Sequence, residues 1–425
     1  MKIKMKIVLL VLTACFLSPA VPCLAAEAGT VVKLGVFNLP EPDLFKKAGL
    51  KVTRKILKDF EIKRIYEDLD GGKAPGRIKA LGFLEEFKKA GVDVIVTLRW
   101  PKGEKAFLGG ETVGGADNPG SLLDRVPEGA DRERSLALLK RFLADFGPHI
   151  AVVSIQNECL GGPGRYAESD MLRKPDGRSP AGRWLEDVAR SVRASISENP
   201  KLSHLKIASP VWQGIGEVAL QGGMIPARHS NPKISLLGEI VDISNKYCDY
   251  VDLHFLVTPP EKMDELISYV KKHTDRALIT TEWAGLHGVK EWLNEPARET
   301  VLKKISRSAG GSAFKIKTNR DVVRFAQKKK VPVKDWNDFL KTMPHSEDFA
   351  LKSFKIFEKH GFAYACWALG LQYSHDLFDL NTLFANMKTR ERFAPNGPAF
   401  GDFQRLIEYT GGTPWRITTS PAPED

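Results

Sequence analysis

The 425-residue chain is poor in cysteine, with five, and its nine histidines are scattered. Cys15 and Cys23 fall in an N-terminal leader, which leaves Cys159, Cys248 and Cys366. Three thiols with no C-x-x-C spacing exclude a disulfide scaffold and a cysteine-based zinc site, allow at most one bridge, and read as inert buried groups. No two histidines lie one residue apart on an early strand, the arrangement a metal-dependent barrel hydrolase would need, so neither a metal nor any other cofactor is expected. Nucleic-acid motifs and short internal repeats are also missing. Beyond the leader, no apolar run is long enough to cross a bilayer. The 43% hydrophobic and 27% charged residues match a soluble globular chain.

The first 25 residues read as a secretory signal. Lys2, Lys4 and Lys6 precede the apolar run 7–12, and small residues around Ala25 and Ala26 offer a cleavage point. Export to the periplasm or the exterior is the expectation. Leu12-Thr13-Ala14-Cys15 resembles a lipoprotein box, which makes a lipid anchor on Cys15 the minor alternative. Residues 26–412 are expected to form one catalytic domain and residues 413–425 a trailing tail. The formal charge is +11. It suits an acidic substrate or simply a solvated lysine-rich face.

Apolar, β-branched runs alternate with charged helical stretches, the signature of a parallel α/β sheet. Eight strand candidates can be placed, at residues 31–37, 51–54, 93–98, 151–155, 206–210, 250–255, 277–281 and 363–367. Helical spacing recurs between them, for example at Leu136, Leu139, Phe142, Leu143 and Phe146. Gly91 and Gly361 act as stop signals before strands three and eight. Eight strand–helix units predict a (β/α)8 TIM barrel, with a doubly wound open sheet as the rival arrangement. The connections at 100–131 and 283–346 are unusually long and leave the carboxyl ends of strands three and seven. Barrels build their sites on that face, so these loops are expected to wall a cleft.

Two strands end abruptly in carboxylates. Strand four runs AVVSIQNE and closes on Asn157-Glu158, while strand seven runs ALITTEW and closes on Glu282-Trp283. A single glutamate at a strand end is more often a surface group or an ion-pair partner. Two of them across a barrel mouth offer what glycoside cleavage requires: one acid to protonate the leaving oxygen, and one carboxylate to attack the anomeric carbon or activate water.

With Asn157-Glu158 and Thr281-Glu282-Trp283 in these positions, the chain resembles the clan A glycoside hydrolases, of the family 5 or family 39 type. The resemblance implies a retaining (β/α)8-barrel enzyme that cleaves β-glycosidic bonds in an oligo- or polysaccharide. It implies Glu282 as the nucleophile, Glu158 as the acid/base and Asn157 as a partner of the sugar 2-hydroxyl. Arg54, read as the end of strand two, would support the nucleophile. His254 would line the site, although Phe255-Leu256 stand where the clan has a tyrosine. Trp367 would be an aromatic sugar platform, and Trp100, Trp212 and Trp283 would serve further subsites. Glu158 should be kept protonated by partial burial and nearby negative charge. A non-catalytic sugar-binding barrel is the rival function. It would keep the tryptophans and lose one carboxylate.

Overall fold

A computed structural model describes residues 31–37, 42–58, 61–63, 65–66, 78–99, 126–160, 166–175, 177–213, 215–220, 224–225, 229–299, 316–328, 331–368, 380, 382–385, 394–395 and 397–415. Eight parallel strands close on themselves in sequence order. They are β1 (Lys33–Phe37), β2 (Val52–Lys58), β3 (Asp93–Arg99), β4 (Val152–Ser154), β5 (Lys206–Ala208), β6 (Tyr250–Phe255), β7 (Ala277–Trp283) and β8 (Tyr364–Trp367). β8 returns to pair with β1, Leu34 opposite Ala365. The fold is therefore a (β/α)8 barrel and not an open sheet. The expected strands all lie on it, with shifted ends. β2 continues four residues past Arg54, so that arginine stands mid-strand.

Alternation along each strand sorts side chains into two cores. Val52, Ile95, Val152, Ala208, Ile279, Tyr364 and Cys366 fill the lumen. Their strand neighbours Val94, Val96, Val153, Ile207, Val251, Leu253 and Leu278 face outward into the larger sheet–helix core. Gly91 and Gly361 sit at φ 72° and 68°. Each reverses the chain out of a helix, Ile78–Lys89 or Phe349–Lys359, directly into the following strand region. A side chain with a Cβ would be strained at that left-handed position.

The connection after β7 contains helices Val289–Asn294, Asn319–Lys328 and Val333–Leu340. They enclose a separate apolar cluster of Trp292, Val322, Phe325, Trp336 and Phe339, joined by Ala284 and Ala368 at the ends of β7 and β8. This small subdomain is therefore tied to the carboxyl side of the barrel. Most of the long connection after β3, including Trp100, lies outside the described residues, as does the expected leader. Of the expected tail, residues 413–415 are described: Trp415 packs on Phe384, Phe400 and Phe403 and donates its indole N–H to the Leu44 carbonyl at 3.1 Å.

Candidate active site

Above the apolar floor of the lumen, the inward positions turn polar. Arg54 from β2 is fully buried, and its planar fork reaches three other segments. Nε donates to Thr97 Oγ1 on β3 at 2.8 Å, Nη2 to Asn157 Oδ1 after β4 at 2.6 Å, and Nη1 to Glu282 Oε1 on β7. The cation also lies 5.1 Å from the centre of the Phe37 ring. A guanidinium suits this role because its five N–H groups point in fixed, divergent directions. The bond to Asn157 commits its carbonyl oxygen, so the amide NH2 is the remaining donor of that residue.

A bulge in β7 brings Glu282 into the lumen. Asp252 and His254 on β6 pair with Ile279 and Glu282, so two steps on β6 match three on β7. The same extra residue recurs against β8, where Thr280 and Trp283 face Ala365 and Trp367. One inserted residue turns both Thr281 and Glu282 inward and still leaves Trp283 outward. Bulges often re-aim side chains in this way near reactive sites.

Glu158 follows Asn157, whose N–H continues the ladder to the Leu98 carbonyl at 2.9 Å. Its φ of 26° is a left-handed backbone that non-glycine residues rarely hold. Such a conformation costs roughly 1–3 kcal/mol and persists only where the surroundings enforce it. Glu158 Oε1 lies 2.9 Å from His254 Nδ1. Burial raises the Glu158 pKa, and the charges of Arg54 and Arg99 and a hydrogen bond from Gln213 oppose it without reversing it. The shift has the expected direction. Its cause is desolvation, however, and the neighbouring charges work against it. Burial also lowers the pKa of His254, outweighing Glu282 and Asp252.

The structure thus brings together Glu158, Glu282, Asn157, Arg54 and His254. It does not do so for the tryptophans. Trp283 and Trp367 are 0% exposed and lie in the sheet–helix core, their rings edge-to-face at 4.7 Å. Trp283 also stacks on Phe349, and Trp367 meets Phe403. Trp212 is buried as well, its indole N–H donating to Ser244 Oγ in the Pro232–Tyr247 helix at 3.0 Å. None of the three presents a ring face to the mouth. Their strand-end positions suggested a platform, but side-chain parity along the strand turned the two strand tryptophans away.

Several polar residues had no role in the sequence reading: Thr97, Arg99, Gln213 and Asp252, and Thr281, which entered only as part of a motif. Asp252 had a usable signal. It lies two residues before His254 on the same strand and so shares its face. A donor atom from each of Glu158, His254 and Glu282 falls within 4.8 Å of the others, a grouping that could take a divalent cation. Arg54 already places a positive charge on Glu282, and both ring nitrogens of His254 have protein partners. Both facts favour a proton-transfer site over a metal site.

No protein-family model and no curated protein matches the chain. Among solved structures it is similar to the Ignisphaera aggregans GH53 catalytic domain, at 12% identity and a TM-score of 0.43, covering 90% of this chain and 98% of that one. A family 39 glycoside hydrolase from the gut symbiont Bacteroides cellulosilyticus WH2 is similar at 11% identity and a TM-score of 0.46, covering 87% and 61%. A β-glucosidase from Thermotoga maritima shares 13% identity at a TM-score of 0.43, covering 86% and 85%. At these identities and TM-scores the likeness assigns this chain neither an activity nor a substrate.

Proposed function

We propose that this chain is an exported, retaining glycoside hydrolase that cleaves β-glycosidic bonds in an oligo- or polysaccharide. The observation that carries the reading is the carboxylate pair: an oxygen of Glu158 and an oxygen of Glu282 lie within 4.8 Å of each other. Retaining enzymes hold their two carboxyls about 5–5.5 Å apart, whereas inverting enzymes leave about 6.5–9.5 Å for a water molecule.

The two carboxyls also have different partners, as the two roles require. Glu282 is bound directly to a guanidinium, while Glu158 meets the His254 ring and has its pKa raised by burial. In the first step a Glu282 oxygen attacks the anomeric carbon while Glu158 gives its proton to the departing glycosidic oxygen. In the second step the Glu158 carboxylate takes a proton from water, the resulting hydroxide oxygen bonds to the anomeric carbon, and Glu282 is released. The NH2 of Asn157 would donate to the sugar 2-hydroxyl oxygen, a contact that tightens as the ring flattens. The subdomain after β7 would form one wall of the substrate cleft. The net charge, +11 for the full chain and about +8 once the leader with Lys2, Lys4 and Lys6 is removed, is compatible with an acidic polysaccharide.

The test is a screen of aryl β-glycosides and of neutral and acidic plant or algal polysaccharides, with the anomer of the first-formed product read by proton NMR. A β-configured first product from a β-glycoside is expected. An α-configured first product, or no turnover across the panel, would overturn the assignment.

A further inference from the structure

Below the two glutamates lies a carboxyl that the mechanism above does not use. Asp252, on β6, is completely buried, and Thr281 caps it twice. The Thr281 N–H donates to Oδ1 at 3.0 Å, and the Thr281 hydroxyl donates to Oδ2 at 2.7 Å. The same hydroxyl oxygen lies 3.0 Å from His254 Nε2, and the other ring nitrogen meets Glu158.

We propose that Asp252 is a positioning residue that keeps Glu158 in its acid form, acting through Thr281 and the tautomer of His254. The argument is an inventory of hydrogens and rests on the glycosidase reading only for its catalytic meaning. A threonine hydroxyl has one hydrogen. Asp252 takes it, so the same oxygen can only accept from His254, which places a proton on Nε2. In a neutral imidazole Nδ1 is then bare and must accept. The contact to Glu158 Oε1 is therefore satisfied when Glu158 supplies the hydrogen, that is, when it is a carboxylic acid.

Burial agrees from both ends, holding His254 neutral and favouring protonated Glu158. Burial also raises the pKa of Asp252, against Arg54, His254 and the two Thr281 bonds. The chain thus joins two buried carboxyls that share one proton. The double donation from Thr281 leaves the negative charge on Asp252 and the proton on Glu158.

The other charged groups around the chain fit one shared proton. Arg54 from β2, Arg99 from β3 and Glu282 from β7 act on it electrostatically, Gln213 after β5 donates to Glu158, and the thiol of Cys366 from β8 is held neutral by burial. Two guanidiniums then balance three carboxyls bearing one proton. Reversing the chain moves one proton at each link: Glu158 to Nδ1, Nε2 to Thr281, and the Thr281 hydroxyl to Asp252. Nothing is gained or lost, and Glu158 becomes the carboxylate.

Asp252→Asn tests this. The Thr281 N–H requires an acceptor, so the Asn oxygen stays at the Oδ1 position and its NH2 faces the Thr281 hydroxyl. That hydroxyl then donates to His254 Nε2, the ring carries its proton on Nδ1, and Glu158 is held as a carboxylate. Nitrogen-15 NMR of the imidazole reads the tautomer without substrate. Nε2–H is expected in the wild-type protein and Nδ1–H in the variant. Thr281→Val should give the same change, because Nε2 loses its acceptor, and it serves if Asp252→Asn does not fold.

In kinetics, Asp252→Asn should lose on the order of 10²-fold in kcat/KM on glycosides with poor leaving groups. Aryl glycosides that need no acid should change little, and the alkaline limb of the pH profile should move to lower pH. A wild-type His254 protonated on Nδ1 or on both nitrogens, or equal losses on both substrate classes, would overturn the proposal. The tautomers can be as expected while no glycoside is cleaved. In that case the chain stands and the glycosidase reading falls.

Discussion

Arg54 and Glu282, 228 residues apart in the chain, form an ion pair across the barrel lumen with the guanidinium fully buried. β2 and β7 are not neighbours in the barrel, so the pair braces it internally as well as holding a reactive carboxylate. Losing one partner strands a charge away from water, which costs about 3–5 kcal/mol. Arg54→Met should lower unfolding stability by that order in urea titration. Arg54→Lys should restore part of the stability but not activity, because one ammonium cannot hold Thr97, Asn157 and Glu282 together. A loss on the order of 10²-fold in kcat is expected, as for a reacting group displaced by about 1 Å. Near wild-type turnover in folded Arg54→Lys would remove the positioning role.

The two glutamates should separate by role. Glu282→Gln should abolish turnover of an activated aryl β-glycoside while leaving the circular dichroism spectrum unchanged. In Glu158→Ala the glycosyl-enzyme should accumulate on Glu282, and azide should restore turnover with a β-glycosyl azide as product. An α-configured azide product would mean direct attack and would take the nucleophile role from Glu282.

The strained backbone at Glu158 gives a prediction of unusual sign. Alanine is ordinarily the more stable choice over glycine, but at φ 26° the Cβ carries the strain. Glu158→Gly should therefore unfold at higher denaturant than Glu158→Ala, by about 1 kcal/mol. The reverse order would show that the backbone relaxes once the glutamate is gone.

Trp283 and Trp367, packed against each other and against Phe349, should behave as core residues. Replacing either by alanine should cost about 3–5 kcal/mol. Phenylalanine in either place should leave KM unchanged. A selective rise in KM at full stability would return these rings to the substrate cleft.

Asp402 supplies a test of pH dependence away from the site. It is fully buried, accepts from the Ala350 N–H at 2.7 Å, and burial pushes its pKa up to about 6. A carboxyl raised on folding contributes stability that is fully present below its unfolded pKa near 4 and is lost as pH rises through the folded value. The loss should be on the order of 2–3 kcal/mol between about pH 4 and pH 6.5, at roughly 1.4 kcal/mol per unit. Asp402→Asn, which cannot titrate, should flatten that part of the stability curve. Parallel curves for the two proteins would rule out the linkage.

The sequence by itself determined the eight apolar, β-branched runs alternating with helical stretches and the two such runs that end in glutamate, because both are local patterns. Glu158 and Glu282 were legible for that reason, and Asn157 and His254 through the resemblance those strand ends carry. Arg54 was found with its end of strand misplaced, since nothing in KVTRKILK marks where pairing stops. Only the tertiary structure decided which way the tryptophans face. A one-residue change in register reverses a side chain, and the β7 bulge that turns Glu282 inward and leaves Trp283 outward is a relation to β6 and β8, not a property of ALITTEW. The same holds for the chain from Asp252 to Glu158. Its links join residues up to 96 positions apart and exist only because closure of the barrel places β4, β6 and β7 around one lumen.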